Sequence, residues 1–228
     1  NPLVCAITPI SYEHTYLLGT TLKKIASEKA GIIKQEGQIV ISEPQEKEAE
    51  EVIKERCRKY QAKLYRVGKE INFKQRQFNG EEQTFNAQGL FNKYNNLKIK
   101  LLGRHQLVNA TTANGIVEAL RNFNINISEE AIRRGLKETI WPGRFEIIRK
   151  NPFIVLDGAQ NVASINALVD ILKQRFNSKK KLLVLGISKD KDIKGVCRIL
   201  NEAADEIILT RAANPRAADP NILQNFIK

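Results

Sequence analysis

The sequence predicts an α/β protein of two domains. Three observations predict it. After Phe145 the pattern alternates three times between a short apolar strand and an amphipathic helix, the signature of parallel strands with covering helices. Before that point, βα units give way to short alternating runs that read as antiparallel hairpins. The 228 residues are enough for one large domain or two small ones, with a substantial core.

The elements follow in order. Leu3 to Ile10 is an apolar run that reads as a buried strand, followed by a loop, Ser11 to Thr15. Thr20 or Thr21 can cap a helix running to about Ile33, with Leu22, Ile25, Ala26 and Lys29 on one face. Gln38 to Ser42 reads as a strand, Gln45 to Gln61 as a charged amphipathic helix, and Lys63 to Val67 as another strand. From Ile71 to Leu102 apolar residues alternate, broken by Asn79-Gly80 and Asn95-Asn96, which predicts hairpins. Gln106 to Phe123 has helical periodicity, and Ser128 caps a further helix whose Glu129 and Glu130 complement its dipole. Pro142-Gly143 breaks the chain. Then come strand 153–156, helix 163–176, strand 182–186, helix 193–203, strand 206–210 and a helix from Asp219. The domains are expected at 1–147 and 148–228.

Composition excludes several classes. Apolar residues are 42% and charged residues 27%, a globular balance rather than a disordered one. No apolar run approaches the roughly 20 residues of a membrane helix. The three cysteines, at 5, 57 and 197, form no C-x-x-C pair, and only two histidines occur. Disulfide scaffolds, thiolate zinc sites and multi-histidine centres are therefore excluded. The net charge of +12 admits anionic ligands. The basic residues are dispersed, without the aromatic interleaving of a nucleic-acid surface. No single-segment phosphate loop, dinucleotide fingerprint, serine-hydrolase elbow or zincin helix is present. The chain opens Asn1-Pro2-Leu3-Val4 as a strand already under way and has no Met, so it is expected to be cut from a longer one.

Five segments in order carry a more specific signal. They are Ile7 to Gly19 (ITPISYEHTYLLG), Ile25 to Lys34 (IASEKAGIIK), Leu102 to Ala110 (LGRHQLVNA), Trp141 to Glu146 (WPGRFE) and Leu156 to Asn161 (LDGAQN), with Gly186 to Asp192 after them. Together they closely resemble the folylpolyglutamate synthase / dihydrofolate synthase family of Mur-ligase-like ATP-dependent ligases. The resemblance implies the C-terminal part of a central ATPase domain followed by a Rossmann-like C-terminal domain, itself truncated. It implies that ATP phosphorylates a carboxylate of a folate or dihydropteroate and that the amine of L-glutamate displaces the phosphate. ATP and Mg²⁺ are the implied cofactors, the small substrates the only implied partners, and a cytoplasmic monomer the implied form, with neither nucleic acid nor membrane involved.

The resemblance also implies residues. His14 matches a metal-ligand histidine, and Lys29 matches a lysine that is carbamylated, which turns a cation of the wrong sign into an anionic oxygen ligand. Asn109, Arg144, Asp157 and Asn161 match ATP contacts. Arg144 is also implied to meet charge developing on the transferred phosphoryl group. Without the resemblance, His14 reads as a core or surface histidine and Lys29 as a solvated lysine paired with Glu28 or Glu36. Asn109 then reads as a cap or turn residue, Arg144 as an interdomain salt bridge and Asp157 as a helix cap. Two positions depart from the family pattern. Glu13 stands where Asp is usual, and Gln160 stands where His is usual. The family's glycine-rich phosphate loop precedes the segment matching Asn1, so residues 1–228 alone are expected to have little or no ligase activity. Two alternatives remain open: another Mur-type amino-acid ligase, or a catalytically dead nucleotide-binding relative.

Overall fold

A computed structural model describes residues 2–13 and 15–227. The chain divides into two compact units, Asn1–Trp141 and Pro142–Lys228.

In the first unit, β1 (Val4–Ile7), β2 (Ile39–Ser42) and β3 (Lys63–Arg66) form a parallel sheet in the order β1-β2-β3. β2 is buried along its whole length, as expected of a strand covered on both faces. One face packs under α2 (Leu22–Ala30) and α3 (Lys47–Lys59), with Cys5, Ile7 and Val40 meeting Ile25, Ala26, Val52 and Ile53. α2 starts where the Thr21 side chain accepts a bond from the Lys24 N–H. α3 carries Glu48 and Glu50 in its first turn and Arg56, Arg58 and Lys59 in its last, matching the helix dipole at both ends. A one-turn helix, α1 (Thr15–Leu18), occupies part of what reads as loop in the sequence.

The other face of the sheet meets α4 (Arg104–Ala119) through Ile39, Ile41 and Val67. α4 also contacts the antiparallel meander β4 (Asn72–Phe78), β5 (Gln83–Gln88) and β6 (Lys93–Ile99), where Leu107 and Ala110 meet Phe85, Tyr94 and Leu97. Its last turn, Leu120–Phe123, tightens to a 3-10 helix. Asn79-Gly80 makes the expected turn between β4 and β5. Asn95-Asn96 does not break the chain: it lies within β6, at a bulge where the Asn86 side chain accepts the Asn96 N–H. The β5–β6 turn is instead built around Gly89 to Asn92 and held by Glu118. That buried carboxylate accepts the Phe91 and Asn92 N–H groups and the Tyr94 hydroxyl. α5 (Glu129–Glu138) starts at Ser128, whose hydroxyl accepts the Ala131 N–H.

In the second unit, β9 (Leu182–Leu185) and β10 (Glu206–Leu209) pair in parallel. α6 (Val162–Phe176) and α7 (Ile193–Ala203) pack together over Leu185, and Leu223 of α8 (Pro220–Gln224) completes that core. The expected strand at 153–156 is present as β8, but its pairing differs from the sequence reading. It pairs antiparallel with β7 (Glu146–Lys150), a strand that the alternation pattern does not reveal. Only Asn151-Pro152 separates them, and so short a connection permits only an antiparallel hairpin. The division between units therefore falls ahead of β7, at Trp141/Pro142. Among the described residues no helix is long and apolar enough to cross a membrane.

Candidate functional site

β1 ends at Ile7, and the chain turns back through Thr8 to Ser11. The carboxyl end of a parallel strand is where ligands gather in α/β sheets. Gln45 pins this turn: its side-chain amide donates to the Thr8 carbonyl and its oxygen accepts the Ile10 N–H, both at 2.9 Å. Beside the turn is a cavity of about 240 Å³ lined by Thr8, Ser11, Glu13, Leu18, Lys29 and Ile32, among others. Glu13 and Lys29 thus share one cavity. Lys29 does not lie on the buried face of α2 with Leu22, Ile25 and Ala26; it is exposed, while Ala30 takes the inward position. The physical reason is its charge, which α2 keeps in solvent at its C-terminal turn. His14 lies outside the described residues. Among the described residues no group of three or more His, Cys, Asp or Glu side chains forms a metal cage. Glu13 offers carboxylate oxygens, and Lys29 offers a lone pair only as the neutral amine. As a carbamate it would offer two oxygens, the donor type a hard divalent cation takes.

Glu43 belongs to none of the sequence motifs. It follows β2 directly, is 3% exposed, and accepts a bond from the Thr112 hydroxyl on α4 at 3.0 Å. Burial pushes its carboxyl above the usual range and the Thr112 bond pulls it part of the way back. Its signal in the sequence is an acid directly after the strand Ile39-Val40-Ile41-Ser42.

Asn109 lies on an exposed position of α4, where its amide donates to the Gln106 side-chain oxygen at 2.9 Å. The helix begins after Gly103, whose φ of 101° excludes most side chains. Gln83, buried, donates to the Leu101 and Gly103 carbonyls and fixes this entry.

The second unit brings Arg144 and Asp157 together at the end of the β7–β8 hairpin. Asp157 follows β8 and lies opposite Phe145. Its Oδ2 accepts the Phe145 N–H and its Oδ1 accepts the Ala159 N–H, each at 2.8 Å. The Gly158 N–H donates to the Gly143 carbonyl at 2.9 Å. Arg144, between these anchors, is exposed. Asn161 is the N-cap of α6: its side chain accepts the Ser164 N–H, and Ser164 in return accepts the Asn161 N–H, a complete capping box. Gln160 is exposed, and its N–H donates to the Ser164 hydroxyl.

This fold, a parallel sheet with its cavity at a strand end followed by a second α/β unit, matches known families along its length. The Mur ligase middle domain matches residues 1–117, and the Mur ligase glutamate ligase domain matches residues 143–228. The chain belongs to the Mur ligase family. Among individual proteins it is similar to the dihydrofolate synthase/folylpolyglutamate synthase of Bacillus subtilis, with 33% identity over 96% of this chain and 51% of the relative. It is also similar to the solved Mycobacterium tuberculosis folylpolyglutamate synthase complexed with ADP, at TM-score 0.91 and 32% identity over 98% of this chain and 50% of that one. A third likeness is to the FPGS–AMPPCP–folate complex, at TM-score 0.86 and 28% identity over 96% of this chain and 53% of that one. The chain spans about half the length of the curated relatives it matches.

Proposed function

We propose that the protein carrying this chain is an ATP-dependent ligase that joins L-glutamate to the carboxylate of a folate, of dihydropteroate, or of both. The observation that carries this reading is the shared cavity of Glu13 and Lys29 at the β1 end, within a chain that is similar along its whole length to folylpolyglutamate and dihydrofolate synthases. In the reaction, a carboxylate oxygen of the pterin substrate attacks the γ-phosphorus of ATP and ADP leaves. The glutamate amine then attacks the acyl carbon. The C–O bond to phosphate breaks, the amine loses a proton, and an amide and inorganic phosphate result.

Lys29 takes part as its carbamate. Its neutral amine adds CO₂ and releases a proton, giving an anionic group that faces the cavity beside Glu13. Glu13, the Lys29 carbamate and His14 would hold Mg²⁺, which when bound would neutralise phosphate charge. Asn109 contacts the nucleotide base, where an amide both donates and accepts. Arg144 offers its guanidinium to the phosphates. Asn161 lies at the N-terminus of α6, where its side chain accepts the Ser164 N–H. In domain terms this is a central ATP-binding portion followed by a C-terminal domain, divided at Trp141/Pro142 and not at the 147/148 boundary expected from the sequence, and the implied enzyme is a cytoplasmic monomer.

The test is an assay of the protein with ATP, Mg²⁺ and L-glutamate, offering dihydropteroate and tetrahydrofolate separately. The reading expects ADP release that depends on both glutamate and one of the two acceptors. It also expects Lys29→Arg to abolish turnover, because a guanidinium does not carbamylate. ADP release that ignores glutamate, or full activity in Lys29→Arg, would overturn it.

A further inference from the structure

The geometry around Arg144 assigns work to two residues across the hairpin end from it. We propose that Asp157 and Gly158 are positioning residues for Arg144: the carboxylate fixes the backbone on either side of their shared turn, and the missing side chain makes room for the guanidinium. This rests on the reading that Arg144 meets nucleotide phosphate.

Arg144 is held by the residues on both sides of it. Gly143 has φ +68°, its N–H donates to the Glu146 carboxylate at 2.8 Å, and its carbonyl accepts the Gly158 N–H. Phe145 has φ +47°, a conformation rarely adopted by an aromatic residue. Two contacts hold it there. Its N–H is bound by Asp157, and its ring, 4% exposed, stacks on Phe176 at 6.4 Å between centroids. The second Asp157 oxygen is taken by Ala159 N–H. One carboxylate thus ties the Gly143–Phe145 turn to the Gly158–Asn161 segment that leads into α6.

Gly158 supplies the other half. A Cβ built there would lie 2.6 Å from Arg144 Nη1 and 3.5 Å from the Gly143 carbonyl oxygen. The guanidinium therefore lies across the bare backbone of Gly158. The atom displaced by a methyl group is the far end of a flexible side chain, so alanine at 158 moves the guanidinium and leaves the fold in place. Gly158 is needed here for space; its φ lies outside the left-handed range.

The experiment is a double-mutant cycle on ADP affinity, by isothermal titration in the protein carrying this chain. It compares the parent, Arg144→Ala, Asp157→Asn, Gly158→Ala and the two doubles that include Arg144→Ala. Asp157→Asn and Gly158→Ala are each expected to weaken ADP about fivefold to tenfold, the scale of one ordinary hydrogen bond. Neither should weaken it further once Arg144 is alanine. Amide exchange at Phe145 and Ala159 should accelerate in Asp157→Asn while the amides of α6 stay protected, which separates loosening of the turn from unfolding. Additive losses in the doubles would overturn the proposal, because Asp157 or Gly158 would then act on the nucleotide without Arg144. Unchanged ADP affinity in Arg144→Ala would defeat the nucleotide reading instead. The positioning claim is then decided by the Arg144 Nε–Hε resonance: displacement in both single variants supports it, and an unmoved resonance overturns it.

Discussion

Replacing Glu118 by glutamine removes one oxygen from the most heavily used buried carboxylate of the first unit. Glu118 is 1% exposed. Its Oε2 accepts the Phe91 N–H at 3.0 Å, and its Oε1 accepts the Asn92 N–H at 3.1 Å and the Tyr94 hydroxyl at 2.7 Å. The substituted amide could keep the two bonds to Oε1, but its NH₂ would face the Phe91 N–H, donor against donor. The loss is one charge-assisted bond plus one buried donor left without a partner, together about 3 kcal/mol. Tyr94→Phe removes the bond to Oε1 and the longer one that the Asn92 side-chain amide donates to the hydroxyl at 3.3 Å, and leaves Oε1 with the Asn92 N–H, so about 1–2 kcal/mol is expected. Gly89→Ala should act in the same direction as Glu118→Gln, because a Cβ there would run into the Glu118 carboxylate. The assay is urea unfolding followed by far-UV circular dichroism, with amide exchange at Phe91 and Asn92 reporting the turn itself. The midpoint should fall with little change in slope. If Glu118→Gln costs less than about 0.5 kcal/mol, within the range of an ordinary surface substitution, the turn is held by something other than this carboxylate and the reasoning fails.

Three further outcomes follow from the same geometry. Glu50 accepts bonds from Lys69 and Arg66 and pairs with Lys54, and its carboxyl is held down to about 2 from an ordinary 4.5. A depressed acid stabilises the fold above its unfolded pKa. Glu50→Ala should therefore lose stability at neutral pH, and the difference from the parent should vanish as pH falls from 4.5 through about 2. Glu43 carries the opposite sign. Its pKa is raised by burial, so its ionised form costs stability at neutral pH, and the cost disappears below the ordinary 4.5. Glu43→Gln should stabilise the protein at pH 8 relative to pH 4 in parallel thermal melts. Asn161→Ala removes the capping box of α6 and should cost about 1 kcal/mol in thermal or urea unfolding, with Asn161→Asp retaining most of it.

Where the sequence was explicit, physical chemistry left little choice. Ser128 before two glutamates, Thr21 before an amphipathic run, and strands alternating with helices after Phe145 each name their structure, and each is present. The misreadings arose where tertiary contacts outweigh local signals. Asn95-Asn96 resembles a turn, yet Leu97 and Tyr94 carry β6 through it because both are fully buried. β7 has exposed residues over most of its length, so no alternation pattern betrays it; only its hairpin partner does. Lys29 looked inward by spacing and is outward by charge. Of the candidate site, the loop segments were legible in the sequence; the structure brings Glu13 and Lys29 to one cavity, and Arg144 and Asp157 to one hairpin end. What spacing could not express is the backbone each group also holds. Each Asp157 oxygen accepts one backbone N–H, and the Asn161 side chain caps α6.

The most direct measurement follows oxygen. The acceptor folate or dihydropteroate is labelled with ¹⁸O in its carboxylate and turned over with ATP, Mg²⁺ and L-glutamate by the protein carrying this chain. If the carboxylate is phosphorylated before the amine attacks, one labelled oxygen leaves in the inorganic phosphate, in step with amide formed. Phosphate released without label, or with no matching glutamyl product, would contradict the ligase account.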